Sequence, residues 1–151
     1  MLIKDAMSKK VVSCASSDTA QEAARIMKAQ GVGALPVVSN LASAQIEGIV
    51  TDRDLCCSVV AEARLAETTR IADVMTRNLV TCAPENTLED CERLMQEHKI
   101  RRIPVVDDEG RCVGIVTQTD IAAYASVAEI AKTLGEISKP REGRAGGTYT
   151  H

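Results

Sequence analysis

An internal repeat constrains the fold of this chain more than any other feature. Residues 3–38 match residues 71–106 at a constant offset of 68, and 12 of the 36 aligned pairs are identical. The offset falls to 66 where Gly48-Ile49-Val50-Thr51 aligns with Gly114-Ile115-Val116-Thr117, so the preceding loop is two residues longer in the first copy. Neither copy has enough apolar surface to close a core alone. We therefore expect the two copies to pack together about a pseudo-two-fold axis.

Each copy shows the pattern of a strand, a helix, two strands and a second helix, which predicts an α/β (α+β) fold. In the second copy, Leu79-Val80-Thr81 predicts a short strand that ends before Pro84 and Asn86. The helix after Thr87 places four apolar residues on one face: Leu88, Cys91, Leu94 and Met95. Asp107-Asp108-Glu109-Gly110 then predicts a hairpin turn between two strands.

Composition shifts along the chain indicate its organisation. We expect a first repeat at residues 1–61, a polar linker at 62–70 and a second repeat at 71–124. A C-terminal helix at 125–138 and a disordered tail at 139–151 should follow. The apolar stripe of the C-terminal segment is interpreted as a helix packing on its own domain, with a dimer contact as the alternative.

Charge and hydropathy argue against several classes of function. The chain has 18 basic and 21 acidic residues and a net charge of −3, whereas a nucleic-acid binder normally carries a basic excess. Aromatic residues make up 1% of the chain, so bases would have almost no rings to stack on. No apolar run approaches the roughly 18 residues of a membrane span, and the start lacks a signal-peptide core. We expect a soluble, cytoplasmic protein with no nucleic-acid or membrane partner.

The six cysteines do not form a recognisable metal or redox motif. No C-x-x-C pair is present, which favours reduced and mostly packed thiols. The adjacent Cys56 and Cys57 leave a redox role open. With only two histidines, His98 and His151, no catalytic constellation can be assembled, so we expect no enzymatic activity.

A Thr-x-x-Asp motif follows the last strand of each copy, as Thr51 to Asp54 and Thr117 to Asp120. One interpretation is structural, because a threonine followed three residues later by an acid caps a helix N-terminus. The other is functional: the carboxylate would accept hydrogen bonds from ribose hydroxyls, and the threonine and helix amides would meet phosphate oxygens. Spacing alone leaves both open.

Several motifs together resemble a tandem pair of CBS domains, also called a Bateman module. They are the openings at Met7 and Met75, Leu35-Pro36-Val37-Val38 with Ile103-Pro104-Val105-Val106-Asp107, and the two Gly-Ile-Val-Thr-x-x-Asp segments. The resemblance covers roughly residues 1 to 124. It implies two β-α-β-β-α units and a stand-alone module that forms a homodimer. It also implies a regulatory ligand, AMP, ADP, ATP or S-adenosylmethionine, bound in clefts between the repeats, and a separate effector protein.

The resemblance also implies particular site residues. Asp54 and Asp120 would bind ribose, with Thr51 and Thr117 as hydroxyl partners. Two residues on the first strands would lie beside the base, namely Ser13 and Thr81. Three cations would face phosphate, namely Arg53, Arg101 and Arg102.

These cations are not repeated between the copies. Arg53 corresponds to Thr119, whereas Arg101 and Arg102 correspond to Gly33 and Ala34. The two clefts therefore cannot be equivalent. Arg53 and Arg102 could serve one shared region that makes one cleft the stronger, and the sequence does not decide which. Arg101 and Arg102 could instead belong to a solvated strand edge.

The sequence thus favours a non-enzymatic regulatory module that binds an adenine nucleotide without any catalytic cofactor. Two alternatives remain. The module could be a dimerising scaffold with empty clefts, which the small residues at Gly33 and Ala34 would favour. Less favoured is a metal- or redox-responsive protein that uses its cysteines.

Overall fold

A computed structural model of the chain describes residues 1–124 and 127–140. The first half contains α1 (Ile3–Ala6), β1 (Cys14–Ala15), α2 (Ala20–Gln30), β2 (Ala34–Val38), β3 (Ile46–Thr51) and α3 (Asp52–Leu55), which continues as a π-helical turn (Cys56–Val60). A short 3-10 turn (Ile71–Asp73) opens the second half. It is followed by α4 (Leu88–His98), β4 (Arg102–Val106), β5 (Cys112–Thr117), α5 (Gln118–Ala122) and α6 (Val127–Ser138).

The two halves contain matching antiparallel strand pairs. In the first, β2 pairs with β3 so that Ala34 lies opposite Thr51, and the short β1 adds to the other edge of β2 in parallel. In the second, β4 pairs with β5 so that Arg102 lies opposite Thr117. Both pairs shift register between the last two residues of the leading strand. The predicted α+β fold is confirmed, with the same hairpin at the centre of each repeat.

The strand predicted at Leu79-Val80-Thr81 is wrong. Only Cys82 pairs, through a single parallel bridge in which its N–H donates to Pro104 O at 3.1 Å and its carbonyl accepts from Val106 N–H at 2.8 Å. The next bond of a parallel ladder would require an N–H at residue 104, and proline has none. Pro36 has the equivalent position in β2 and likewise lacks an N–H, and β1 begins only at Cys14.

Helices α2 and α4 have the same kind of cap at both ends. Thr19 and Thr87 cap α2 and α4, and in both cases a full capping box forms with the acid three residues later. Each helix ends at a residue in the left-handed conformation, at Gly31 (φ 65°) and at Lys99 (φ 53°). The glycine adopts this conformation without strain, and the lysine occupies the equivalent position of the repeat.

Each repeat contributes its opening segment to the other repeat. Ile3 of α1 is fully buried in the second core, beside Leu88 and Met95, and its N–H donates to Asn86 O at 2.9 Å. Reciprocally, Ile71 is fully buried in the first core and its N–H donates to Asp18 O at 2.8 Å. Neither core is complete without a segment from the other half of the chain.

The glycines of the two Gly-Ile-Val-Thr motifs make room for these exchanged segments. A Cβ atom on Gly48 would lie 2.7 Å from Thr76 O, and one on Gly114 would lie 2.5 Å from Met7 Sδ. The chain also bridges to the neighbouring strand at both places, from Thr76 to Ile49 and from Ser8 to Ile115. The glycine of the motif therefore permits a close approach between the repeats.

The segments outside the two strand pairs are also anchored. Thr69, near the end of the predicted linker, is buried and its carbonyl accepts from Ala20 N–H at 2.8 Å. Helix α6 packs on α4: Thr133 accepts from Gln96 Nε2 at 2.9 Å and donates to the Glu92 carboxylate, while Ile137 enters the second core. These contacts favour packing on its own domain over a dimer contact for α6. Most of the tail predicted at 139–151 lies outside the described residues.

No helix within residues 1–124 and 127–140 combines the length and the apolar character needed to cross a bilayer.

Candidate functional site

The first Thr-x-x-Asp motif begins α3 directly at the end of β3. Asp54 Oδ2 accepts from Thr51 N–H at 2.9 Å, and Thr51 Oγ1 accepts from Asp54 N–H at 3.1 Å. Asp54 is half-buried. The structural interpretation of the motif is therefore correct. It leaves the functional one open, because the capping bonds use only one carboxylate oxygen.

The second motif repeats this geometry at the start of α5. Asp120 Oδ2 accepts from Thr117 N–H at 2.7 Å and from Thr117 Oγ1 at 2.9 Å, and Thr117 Oγ1 accepts from Asp120 N–H at 3.2 Å. The hydroxyl proton of Thr117 is thus directed at Asp120. The expected contact between this hydroxyl and phosphate would require the proton to turn away from Asp120 Oδ2, while Oγ1 continues to accept from Asp120 N–H.

Capping alone does not distinguish these motifs from the other helix starts. Thr19 with Glu22 and Thr87 with Asp90 form the same reciprocal bonds. What distinguishes Thr51 and Thr117 is their position, because each ends the last strand of its repeat and lies opposite the first residue of the strand paired with it. The carboxylate at the helix start is therefore held next to that first residue.

In the second repeat, the neighbours of the helix start are arginines. Arg102 lies directly opposite Thr117, and side chains of such a cross-strand pair project from the same face of the sheet. The backbone of Arg101 is also attached, because its carbonyl accepts from Gln118 N–H at 2.8 Å. Arg101 is exposed and Arg102 is half-buried. Both predicted phosphate-facing arginines therefore adjoin the helix that carries Asp120.

In the first repeat, the same place has no cation. Ala34 is buried opposite Thr51, and Gly33 O accepts from Asp52 N–H at 2.9 Å. A Cβ atom on Gly33 would lie only 2.9 Å from Asp52 Oδ2. The Asp52 carboxylate therefore covers the position at which the second repeat has Arg101.

Asp52 was not predicted as a site residue. Sequence alignment shows that it corresponds to Gln118, so a carboxylate replaces a neutral amide directly after the capping threonine. That difference could have been noticed, but its meaning depends on Gly33, which lies 19 residues away in sequence. Arg53, the predicted cation of this repeat, is exposed on the first turn of α3 beside Asp52 and Asp54.

The residues predicted to lie beside the base precede the first strands and are not within them. Ser13 is half-buried one residue before β1, and Thr81 is exposed one residue before the bridge at Cys82. Ser13 also lines a cavity of about 500 Å³ between the repeats, together with seven other residues: Val11, Val12, Ile26, Val38, Leu41, Ala44 and Cys112. This largely aliphatic wall could contact an apolar group, but it contains none of the predicted ribose or phosphate residues.

The buried cysteines have the properties of packed thiols. Burial raises the pKa of Cys14 to about 12 and also raises the pKa of Cys112, so both are protonated at neutral pH. A hydrogen bond between Cys82 and Cys91 raises the pKa of Cys91 and lowers that of Cys82. Within the described residues, no three His, Cys, Asp or Glu side chains lie close enough to hold a metal ion.

Comparison with known proteins agrees with this architecture. The CBS domain family model matches residues 3–60 and 71–127. The chain belongs to the CBS domain family. Its two repeats are therefore a CBS pair, and the exchanged opening segments link the two domains. The domain-scale resemblance seen in the sequence is confirmed.

Relatives include proteins of similar size. The CBS pair is 40% identical over 120 residues to the CBS domain-containing protein YhcV of Bacillus subtilis (strain 168), covering 80% of the chain and 82% of YhcV. Seven other curated relatives are longer, and the chain spans between 20% and 56% of their length.

Two similar solved structures contain adenosine compounds. The CBS domain pair of protein MJ0100, in complex with 5′-methylthioadenosine and S-adenosyl-L-methionine, is 32% identical, with a TM-score of 0.71 over 82% of this chain and 94% of that one. CBSX2 in complex with AMP is 25% identical, with a TM-score of 0.70 over 81% of this chain and 93% of that one.

Proposed function

We propose that this CBS pair is a non-enzymatic regulatory module that binds an adenosine compound in the clefts between its repeats. The observation that carries the proposal is the placement of Arg101 and Arg102 beside the helix start that bears Asp120. A carboxylate suits ribose hydroxyls, and guanidinium groups with a helix N-terminus suit phosphate. The complexes of MJ0100 and CBSX2 support an adenosine ligand.

In the proposed binding mode, Asp120 accepts hydrogen bonds from the ribose, while Thr117 and the arginines approach the phosphate. In the first cleft, Asp54 and Thr51 have the corresponding roles. We place Ser13 and Thr81 near the base. Because aromatic residues make up 1% of the chain, aliphatic side chains and backbone groups would hold the base in place of a stacked ring.

We also propose that the module acts as a homodimer on a separate effector protein, and in the cytoplasm. Six free cysteines, four of them buried, fit a compartment that keeps thiols reduced. Signalling requires that the ligand bind one arrangement of the repeats or subunits more tightly than another.

Calorimetric titration with AMP, ADP, ATP and S-adenosylmethionine tests the proposal. The informative variants are Asp54→Asn and Asp120→Asn, because asparagine keeps an oxygen for the cap but loses the carboxylate. Asp90→Asn is the matched control, since it alters the same capping box on α4, away from the strand ends. We expect at least one of the first two variants to lose binding and the control to keep it.

A dimerising scaffold with empty clefts is the second candidate. The covering of Gly33 by Asp52 favours it for the first cleft, where an anionic ligand would meet a carboxylate. Unchanged melting temperature and no heat with all four compounds would favour the scaffold and contradict the regulatory proposal.

A further inference from the structure

The charged side chains around the two helix starts of the CBS pair sum to opposite signs. Around the start of α3, the charged side chains are Asp52, Arg53 and Asp54, which are two carboxylates and one guanidinium. Around the start of α5 they are Arg101, Arg102 and Asp120, which are two guanidiniums and one carboxylate. The capping geometry is shared, so the difference lies in the charges beside it.

The difference in charge can be traced to the contact that Asp52 makes with the strand start. Its N–H donates to Gly33 O, and its Oδ2 lies 2.9 Å from where a Cβ atom on Gly33 would be. Its Oδ1 accepts from Arg53 N–H at 2.9 Å, which fixes the carboxylate over the strand start. The corresponding residue of the second repeat is Gln118, whose N–H donates to Arg101 O. At the same backbone contact, the first repeat therefore has a carboxylate beside a glycine, and the second has a neutral amide beside an arginine.

This reversal has a direct consequence for ligand charge. A phosphate near Asp52 would be repelled at short range, whereas a sulfonium or an uncharged substituent would not. Near Arg102, a phosphate would gain charge-assisted hydrogen bonds that a neutral substituent cannot make. Both clefts keep the carboxylate suited to ribose, so both can hold an adenosine while differing in what they accept at its 5′ end.

We propose that the second cleft selects phosphorylated adenosine and that the first selects a phosphate-free or sulfonium-bearing adenosine. This inference rests on the proposed function and assigns a ligand class to each cleft. It also answers which cleft is the stronger nucleotide site, a question the sequence left open. Each chain would thus bind one AMP, through Arg102 and Asp120, and one S-adenosylmethionine, through Asp52 and Asp54.

Calorimetry with AMP, S-adenosylmethionine and 5′-methylthioadenosine tests this assignment. We expect one AMP per chain, weakened about 10- to 100-fold by Arg102→Ala or Asp120→Asn and changed less than about twofold by Asp54→Asn. S-Adenosylmethionine should show the reverse dependence, losing affinity with Asp54→Asn and keeping it with Arg102→Ala. 5′-Methylthioadenosine, which has no phosphate, should be insensitive to Arg102→Ala.

A second experiment tests the assignment through a gain of AMP binding. Asp52→Gln gives the first repeat the residue of the second and should add a second AMP site per chain, weaker than the first because Gly33 and Ala34 still stand where the second repeat has arginines. Melting temperatures of all variants establish that they fold. Two equal AMP sites in the unmodified chain, or AMP binding that depends on Asp54 as strongly as on Asp120, would overturn the charge-based assignment. Absence of binding by all three compounds would instead overturn the proposed function.

Discussion

The two repeats of this CBS pair have the same backbone and different surfaces. Their strand pairs have equivalent registers, with Ala34 opposite Thr51 and Arg102 opposite Thr117, and both helix starts are capped by the same reciprocal hydrogen bonds. The residues beside the caps have diverged from alanine to arginine. Duplication thus preserves what packing and hydrogen bonding require, while exposed and half-buried positions are free to acquire different ligand preferences.

The exchanged opening segments are the largest shared feature, and removing either should have the largest effect on stability. Ile3→Ala and Ile71→Ala each empty a fully buried position in the other repeat's core. Each should lower the free energy of unfolding by about 2–5 kcal/mol in urea titrations. Val60→Ala, at a position 73% exposed, is the control and should change it by less than about 0.5 kcal/mol. An unchanged stability for Ile3→Ala alone would show that the exchange is not reciprocal.

The two motif glycines should respond unequally to an added methyl group. On Gly48 the methyl would meet the backbone oxygen of Thr76, which is fixed in a bridge to Ile49, whereas on Gly114 the nearest atom is the flexible end of Met7. Gly48→Ala should therefore cost up to about 3 kcal/mol and Gly114→Ala about 1 kcal/mol. Urea unfolding measures both.

Gly135 provides the control for those two substitutions. It lies within α6, and a Cβ atom there would meet nothing within 4 Å. Gly135→Ala should be neutral or stabilising by up to about 1 kcal/mol. If Gly114→Ala proves more damaging than Gly48→Ala, the second repeat has the tighter contact and the comparison is reversed.

Capping should be slightly more important in the second repeat. Thr117 Oγ1 both accepts from Asp120 N–H and donates to Asp120 Oδ2, whereas the corresponding donation is not seen between Thr51 and Asp54. Thr51→Ala should cost about 1 kcal/mol, and Thr117→Ala up to about 2 kcal/mol. Serine at either position restores the hydroxyl and should recover most of the loss. Equal losses at both positions would show that the extra bond contributes nothing.

The smallest expected difference concerns acid sensitivity. Backbone hydrogen bonds, from Thr87 N–H to Asp90 and from Arg111 N–H to Asp107, lower the pKa of both carboxyl groups, and both lie in the second repeat. A lowered pKa in the folded state gives stability that is complete above the pKa of the unfolded chain. It is lost as the pH falls through the folded value.

Thermal unfolding between neutral pH and about pH 2.5 measures this contribution, the range being set by the usual aspartate pKa near 3.9. Asp90→Asn and Asp107→Asn should each flatten the loss of stability below that pKa, because asparagine does not titrate. A curve of unchanged slope in both variants would place the acid sensitivity elsewhere in the chain.

Local signals in the sequence were sufficient for most of the helices and turns. Thr87 predicted the start of α4, and Asp107 to Gly110 predicted the hairpin between β4 and β5. These signals are reliable because capping and turn geometry depend on a few adjacent residues. The strand at Leu79-Val80-Thr81 was wrong because its pairing depended on Pro104, which lacks the N–H that the ladder required.

The candidate site was predictable only in part. Repetition identified Asp54, Asp120 and the unequal arginines, since all are visible as matches or mismatches between the copies. Asp52 was missed because nothing in the sequence places it over Gly33. Likewise, the sequence could not show that Thr117 directs its hydroxyl proton at Asp120.

By itself, the sequence determined that the chain is a duplicated α+β unit of the CBS family, because its repeat and capping motifs are local and periodic. Only the tertiary structure decided that each repeat completes its core with the other's opening segment. It also decided that Asp52 holds a carboxylate over Gly33, the position at which the second repeat has Arg101. Such contacts join residues far apart in the chain, and their geometry is set by strand register and packing, which no local pattern encodes.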